Sequence, residues 1–214
     1  MIKCISIDGI DGAGKTTVVT ALSAYYNVIT LPRFYFSGMV PIDSLERKNW
    51  FRTEDVIKTT DIYITGQKMR YLLAKEFKKG MHYKITEHSK KTSLIVIDRG
   101  EPSLKAFSFA AIKKGTLWEV KRIDEYLSTR FNDLFEKEIE GIIDRSFLLF
   151  EKGTFEEICK RRFLQDDDLL LAKYQQEYYE THEINVNTIT TISPLNKKDD
   201  IMRTILNSLK LLGA

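Results

Sequence analysis

Eight consecutive residues near the amino terminus carry the most legible chemistry of this chain. Gly9-Ile10-Asp11-Gly12-Ala13-Gly14-Lys15-Thr16 fits the spacing G-x-x-x-x-G-K-[ST], and Thr17 follows it. The glycines let the backbone turn so that several N–H groups point inward, and the start of a following helix adds partial positive charge. In such a loop Lys15 reaches the β- and γ-phosphates of a nucleotide, and the Thr16 hydroxyl ligates Mg²⁺. The flanks suit this reading better than a fortuitous glycine turn, because an apolar strand precedes the motif and a helical pattern follows it.

A second candidate lies at the end of the clearest buried strand, Leu94-Ile95-Val96-Ile97-Asp98. A carboxylate at the carboxyl end of such a strand faces the crevice where ligands sit in open α/β sheets. Asp98 there either holds Mg²⁺ through water or caps the next helix. Beside it, the planar guanidinium of Arg99 suits bidentate contact with phosphate.

The elements that position these residues alternate. Strands are expected at residues 2–8, 27–31, 94–98, 147–150 and 186–190. The first helix is expected over 15–25. A second covers 54–77, with Ile62, Met69, Leu73 and Phe77 on one face. A third follows Trp118, with Val120, Ile123, Leu127, Phe131 and Leu134 in helical spacing, and a last one follows Pro194, with Ile201, Ile205, Leu209 and Leu212. Alternating strands and helices imply a parallel sheet covered on both faces. Residues 34–49, with Gly38 and Pro41, read as a loop beside the site.

With 214 residues the chain suits one domain, 1–214, with a full hydrophobic core. A net charge of +3 and the lack of a basic helix argue against a nucleic-acid partner. Cys4 and Cys159 are isolated, so neither a disulfide framework nor a zinc site is expected. The first residues run directly into a strand with no secretory pattern, and no apolar run approaches the ~18 residues a membrane span needs. A soluble cytoplasmic protein is the expectation.

Ile7-Asp8-Gly9-Ile10-Asp11-Gly12-Ala13-Gly14-Lys15-Thr16-Thr17 resembles the opening of thymidylate kinases, which also carry an acid inside the loop. Asp98-Arg99 followed by Ser103, Ala106 and Phe107 resembles their D-R-Y-x-x-S-x-x-A-[YF] signature, and residues 28–33 resemble their second strand with its phosphate-binding arginine. The resemblance implies a three-layer P-loop fold: α/β, with a five-stranded parallel sheet and helices on both faces. It also implies ATP, Mg²⁺, γ-phosphoryl transfer to a deoxynucleoside monophosphate such as thymidylate, and a homodimer. By the same resemblance Asp11 contacts the acceptor sugar, and Arg33 and Arg99 hold its phosphate. Ser103 and Phe107 belong to the acceptor signature. Because Gly12 has no side chain, the charge on the transferring group falls to a lid near residues 160–168, with Arg161 or Arg162 as the cation; a solvated helix end is the competing reading.

Three departures bear on the acceptor. Gly100 replaces the aromatic after Asp-Arg, Leu104 replaces a common glycine, and Gly66 occupies the place of a base-stacking Phe. Tyr63, Gln67 and Arg70 share one helical stripe. Gln67 could read a base edge and Arg70 stands with it as a candidate substrate contact, or the stripe could be an ordinary polar flank. A deoxynucleoside kinase is the nearest alternative, but it calls for a Glu after the second strand, where the chain reads Leu31-Pro32-Arg33-Phe34. A non-catalytic nucleotide-binding protein on a degenerate kinase fold is the alternative of another class.

Overall fold

In β1, Lys3–Gly9, Ile5 and Ile7 pack into one apolar cluster while Cys4 packs into a second. A strand buried on both faces in this way belongs at the centre of a sheet. The computed structural model describes residues 2–31, 56–80, 92–135, 139–160, 166–182, 184 and 189–213. The other strands are β2 (Asn27–Leu31), β3 (Ser93–Asp98), β4 (Arg145–Leu149) and β5 (Ile189–Ile192). All pairings are parallel, in the order β2-β3-β1-β4-β5. Ile7 lies opposite Asp98, so the loop after β1 and the turn after β3 leave the sheet side by side.

The helices are α1 (Lys15–Leu22), α2 (Val56–Gly80), α3 (Glu101–Gly115), α4 (Val120–Phe135), α5 (Phe155–Lys160), α6 (Asp166–Thr181) and α7 (Lys198–Leu211). Val18 and Leu22 of α1 and Ile201, Ile205 and Leu209 of α7 join Leu94 and Val96 in one cluster. Ile64 of α2, Phe109 of α3 and Leu127 of α4 join Ile95 and Ile97 in the other. The strict alternation along β3 thus reports a helical layer on each face, as the α/β pattern requires.

Some sequence expectations shift. The first helix ends at Leu22, because Ser23 closes back through its hydroxyl onto the Thr20 carbonyl at 2.6 Å and a turn follows. The last strand occupies Ile189–Ile192, and residues 185–188 and the expected loop at 34–49 lie outside the described residues. The larger correction concerns α2. Ile62, Met69 and Phe77, expected to face the core, are 50%, 42% and 39% exposed, and Leu73 is only half-buried. The buried stripe is Tyr63, Ile64, Gln67, Arg70, Tyr71 and Ala74. Arg70 occupies it because it bonds to strand-end carbonyls, and Gln67 accepts from Arg70, so hydrophobicity marks the wrong side of this helix. On α4, Ile123, Leu127 and Phe131 are buried as expected, whereas Val120 is 40% exposed.

This orientation makes a direct prediction. Met69→Lys should change unfolding free energy by no more than about 0.5 kcal/mol. Ile64→Ala, in the fully buried stripe, should cost about 2–5 kcal/mol. Urea denaturation of both variants checks the assignment, and the reverse ranking would contradict it.

Candidate active site

The phosphate loop leaves β1 at Gly9, whose φ of 134° is open to glycine. A Cβ there would lie 2.5 Å from the Leu149 carbonyl oxygen, so the loop can turn this tightly over β4 only without a side chain. At the other end Gly14, left-handed with φ 87°, precedes α1 and lends it no side-chain cap. The first turn of α1, with Lys15, Thr16 and Thr17, lines the cleft and brings the helix's positive end to it. Lys15 is buried and donates to the Gly9 and Ile10 carbonyls at 2.9 and 2.6 Å. Thr16 and Thr17 are exposed.

Across from the loop, the Arg99 N–H donates to the Ile7 carbonyl at 3.0 Å. Arg99 itself is left-handed, with φ 67°, a conformation that costs a non-glycine residue about 1–3 kcal/mol and often marks a functional turn. Its guanidinium pairs with the Asp11 carboxylate. Burial is the largest influence and works against the charge on Arg99, but the Asp11 carboxylate, together with Tyr63 and Asp98, raises the pKa above the ordinary arginine value. Among the described residues, the buried Oδ1 of Asp98 has no hydrogen-bond partner. Asp98 and Arg99 line a cavity of about 380 Å³ together with Asp11, Gly12, Gly14 and Lys15, Thr16 and Thr17. An orphaned carboxylate oxygen and a threonine hydroxyl around one cleft form a hard-oxygen donor pair that fits Mg²⁺.

Beneath this cleft lies a residue outside the G-x-x-x-x-G-K-[ST] spacing. Asp8 is fully buried. It accepts the Ser6 hydroxyl at 2.5 Å and the Ser103 N–H at 3.1 Å, and the Ser103 hydroxyl in turn accepts the Gly9 N–H at 3.1 Å. Burial raises the Asp8 carboxyl pKa, while the bonds from Ser6 and Ser103 oppose the shift. The signal was present in β1, where Cys4, Ser6 and Asp8 alternate with Ile5 and Ile7. A polar row on a strand buried on both faces calls for polar partners. Ser103, read from sequence as an acceptor-site residue, is buried and engaged with the loop.

Arg70 is 1% exposed. It donates to the Leu31 and Asp98 carbonyls at 2.8 and 2.6 Å, to the Arg99 carbonyl at 3.3 Å, and to the Gln67 side-chain oxygen. Burial lowers its pKa, and the hydroxyls of Tyr63 and Tyr71 and the carboxylates of Asp98 and Asp8 oppose that shift. Arg70 therefore fastens α2 to the carboxyl ends of β2 and β3. Tyr63 and Phe107 meet with ring centroids 5.3 Å apart. Arg33, Arg161 and Arg162 lie outside the described residues; α5 ends at Lys160.

A five-stranded parallel sheet whose central strand runs into a glycine loop and helix, with helices on both faces, is a three-layer P-loop fold. Two solved kinases share it along nearly their whole length. A thymidylate kinase from Candida albicans superposes with a TM-score of 0.61 at 15% identity, covering 99% of this chain and 92% of that one. A deoxyadenosine kinase from M. mycoides with bound dATP superposes with a TM-score of 0.58 at 16% identity, covering 97% of this chain and 99% of that one. At such identities the likeness establishes the fold. No protein-family profile matches the sequence, and no curated protein matches it. No helix of the described residues is long and apolar enough to cross a membrane.

The Arg70 geometry predicts a large stability effect. Arg70→Met would leave the Leu31 and Asp98 carbonyls buried without their donor, at about 1–3 kcal/mol each. The variant should lose at least ~2 kcal/mol in urea denaturation. A loss under about 0.5 kcal/mol would show that Arg70 does not fasten the strand ends.

Proposed function

We propose that the chain transfers the γ-phosphoryl group of ATP to a deoxynucleoside monophosphate, with thymidylate as the acceptor. The observation that carries this reading is the pair of cations that line one cleft, Lys15 in the loop and Arg99 in the turn after β3. One suits the triphosphate donor, and the second suits an acceptor that already bears a phosphate. Lys15 would leave the Gly9 and Ile10 carbonyls for the β- and γ-phosphates, and the amino-terminal end of α1 would share their charge. Arg99 would exchange the Asp11 carboxylate for the acceptor phosphate, freeing Asp11 for the acceptor sugar. Thr16 and Asp98 would hold Mg²⁺, which when bound neutralises phosphate charge.

Phosphoryl transfer of this kind needs in-line positioning and surrounding positive charge more than covalent help. The proposal extends to Arg33 as a further acceptor-phosphate contact, to Phe107 and Gln67 near the acceptor, and to Arg161 or Arg162 as the lid cation. A single domain acting as a cytoplasmic homodimer is part of the same reading. The second reading, a deoxynucleoside kinase, is favoured by the likeness to the deoxyadenosine kinase across 99% of that chain. Against it, no carboxylate follows β2 in Leu31-Pro32-Arg33-Phe34 to take a hydroxyl proton.

Steady-state turnover with ATP should favour thymidylate over thymidine. Losing one charge-assisted contact costs about 1.5–3 kcal/mol, so Arg99→Ala should lower kcat/KM for thymidylate by roughly one to two orders of magnitude. A preference for thymidine, unchanged in Arg99→Ala, would select the nucleoside-kinase reading instead.

A further inference from the structure

We propose that Asp8 is a positioning residue that sets the phosphate loop and the Arg99 turn in one frame, so that donor and acceptor phosphates are aligned by a single buried carboxylate. The proposal rests on the kinase reading above and adds a residue to which no role has been given.

Three observations carry it. First, Asp8 bridges separate elements: it lies on β1, it accepts the N–H of Ser103 in the first turn of α3, and Ser103 returns its hydroxyl to Gly9, where the phosphate loop starts. Second, α3 has no cap of its own. Its N-cap is Gly100, which offers no side chain, so Asp8 supplies from the strand what a local Asp or Ser would supply elsewhere. Third, the approach is close. A Cβ on Gly100 would lie 2.5 Å from the Ser6 Cβ and 3.2 Å from the Asp8 Oδ2, so Gly100 presses the turn that carries Arg99 directly onto the β1 pair. Ser6 is itself bonded to the Ser146 hydroxyl of β4 at 2.8 Å, which anchors the carboxylate from the far side.

A buried carboxylate is costly unless fully bonded, and an apolar residue would fill its place without that desolvation cost. What the carboxylate adds is geometry. The loop N–H and the arginine turn are held through two bonds that share Ser103, and errors near 1 Å in such alignment cost about 100-fold in rate.

The test uses the full chain with Asp8→Asn, Ser103→Ala and the double variant. Measurements are kcat and KM with ATP and thymidylate, calorimetric binding of ATP alone, and the thermal midpoint. Each single variant should lower kcat roughly 10- to 100-fold with a smaller change in acceptor KM. The double variant should lose little more than the worse single one, because both break the same path. Folded variants with near-native kcat, or losses that multiply, would overturn the proposal. Should Asp8→Asn not fold, Ser103→Ala decides, since it removes both the acceptor of the Gly9 N–H and the bond of the Ser103 hydroxyl to Asp8. If the wild-type protein binds ATP but leaves thymidylate untouched, the acceptor reading fails. ATP affinity then decides: a roughly tenfold loss in Ser103→Ala supports the positioning role, and unchanged affinity overturns it.

Discussion

The parallel pairing of β1 with β3 is the constraint on which the site depends. Ile7 stands opposite Asp98, two residues before β1 ends at Gly9, so the two strands release two different backbones into one crevice. From β1 comes a glycine loop with its lysine; from β3 comes a left-handed arginine. Neither segment could form the cleft alone. Both are irregular backbone at the edge of a fully paired sheet, and both need bonds from outside to hold them. The Arg99 N–H finds the Ile7 carbonyl, the Gly9 N–H finds Ser103, and Arg70 takes up the carbonyls of Leu31 and Asp98.

The electrostatics follow from the same arrangement. Lys15 and Arg99 are both largely buried, and each is held by an acceptor within the protein: two loop carbonyls for one, Asp11 for the other. Charge taken out of water must be matched by bonds of this kind. On the proposed reading, these acceptors are the groups that phosphate oxygens would replace, so that binding would be an exchange of partners and not the capture of phosphate by bare cations. Asp98 is the opposite case. Its buried Oδ1 has no partner among the described residues, which leaves one oxygen available to a hard cation.

What could be read from sequence was what is local. The phosphate loop is a run of eight residues, and its glycines state their own backbone requirement. The run from Leu94 to Asp98 announces a buried strand with a carboxylate at its end. The alternation of strands and helices implies the layered parallel sheet. Features that depend on distant partners were hidden. The core face of α2 carries Arg70, whose partners are the strand-end carbonyls of Leu31 and Asp98, and Gln67, which accepts from Arg70; no helical period announces those strand ends, so Ile62 and Met69 gave the more hydrophobic but wrong side. Asp8 and Ser103 are 95 residues apart, and no spacing rule connects them. The left-handed turn at Arg99 is not legible either, because an arginine gives no hint of positive φ.

The central claim is that residues 9–16 bind the phosphates of a nucleoside triphosphate, with Lys15 as their cation. Titration of ATP with the protein, followed by ³¹P NMR, addresses it most directly because it requires no assumption about the acceptor. The β- and γ-phosphorus resonances should shift on binding, and Lys15→Ala should remove most of that shift while the protein stays folded. Unperturbed resonances with the wild-type protein, or equal shifts in the Lys15→Ala variant, would contradict the claim.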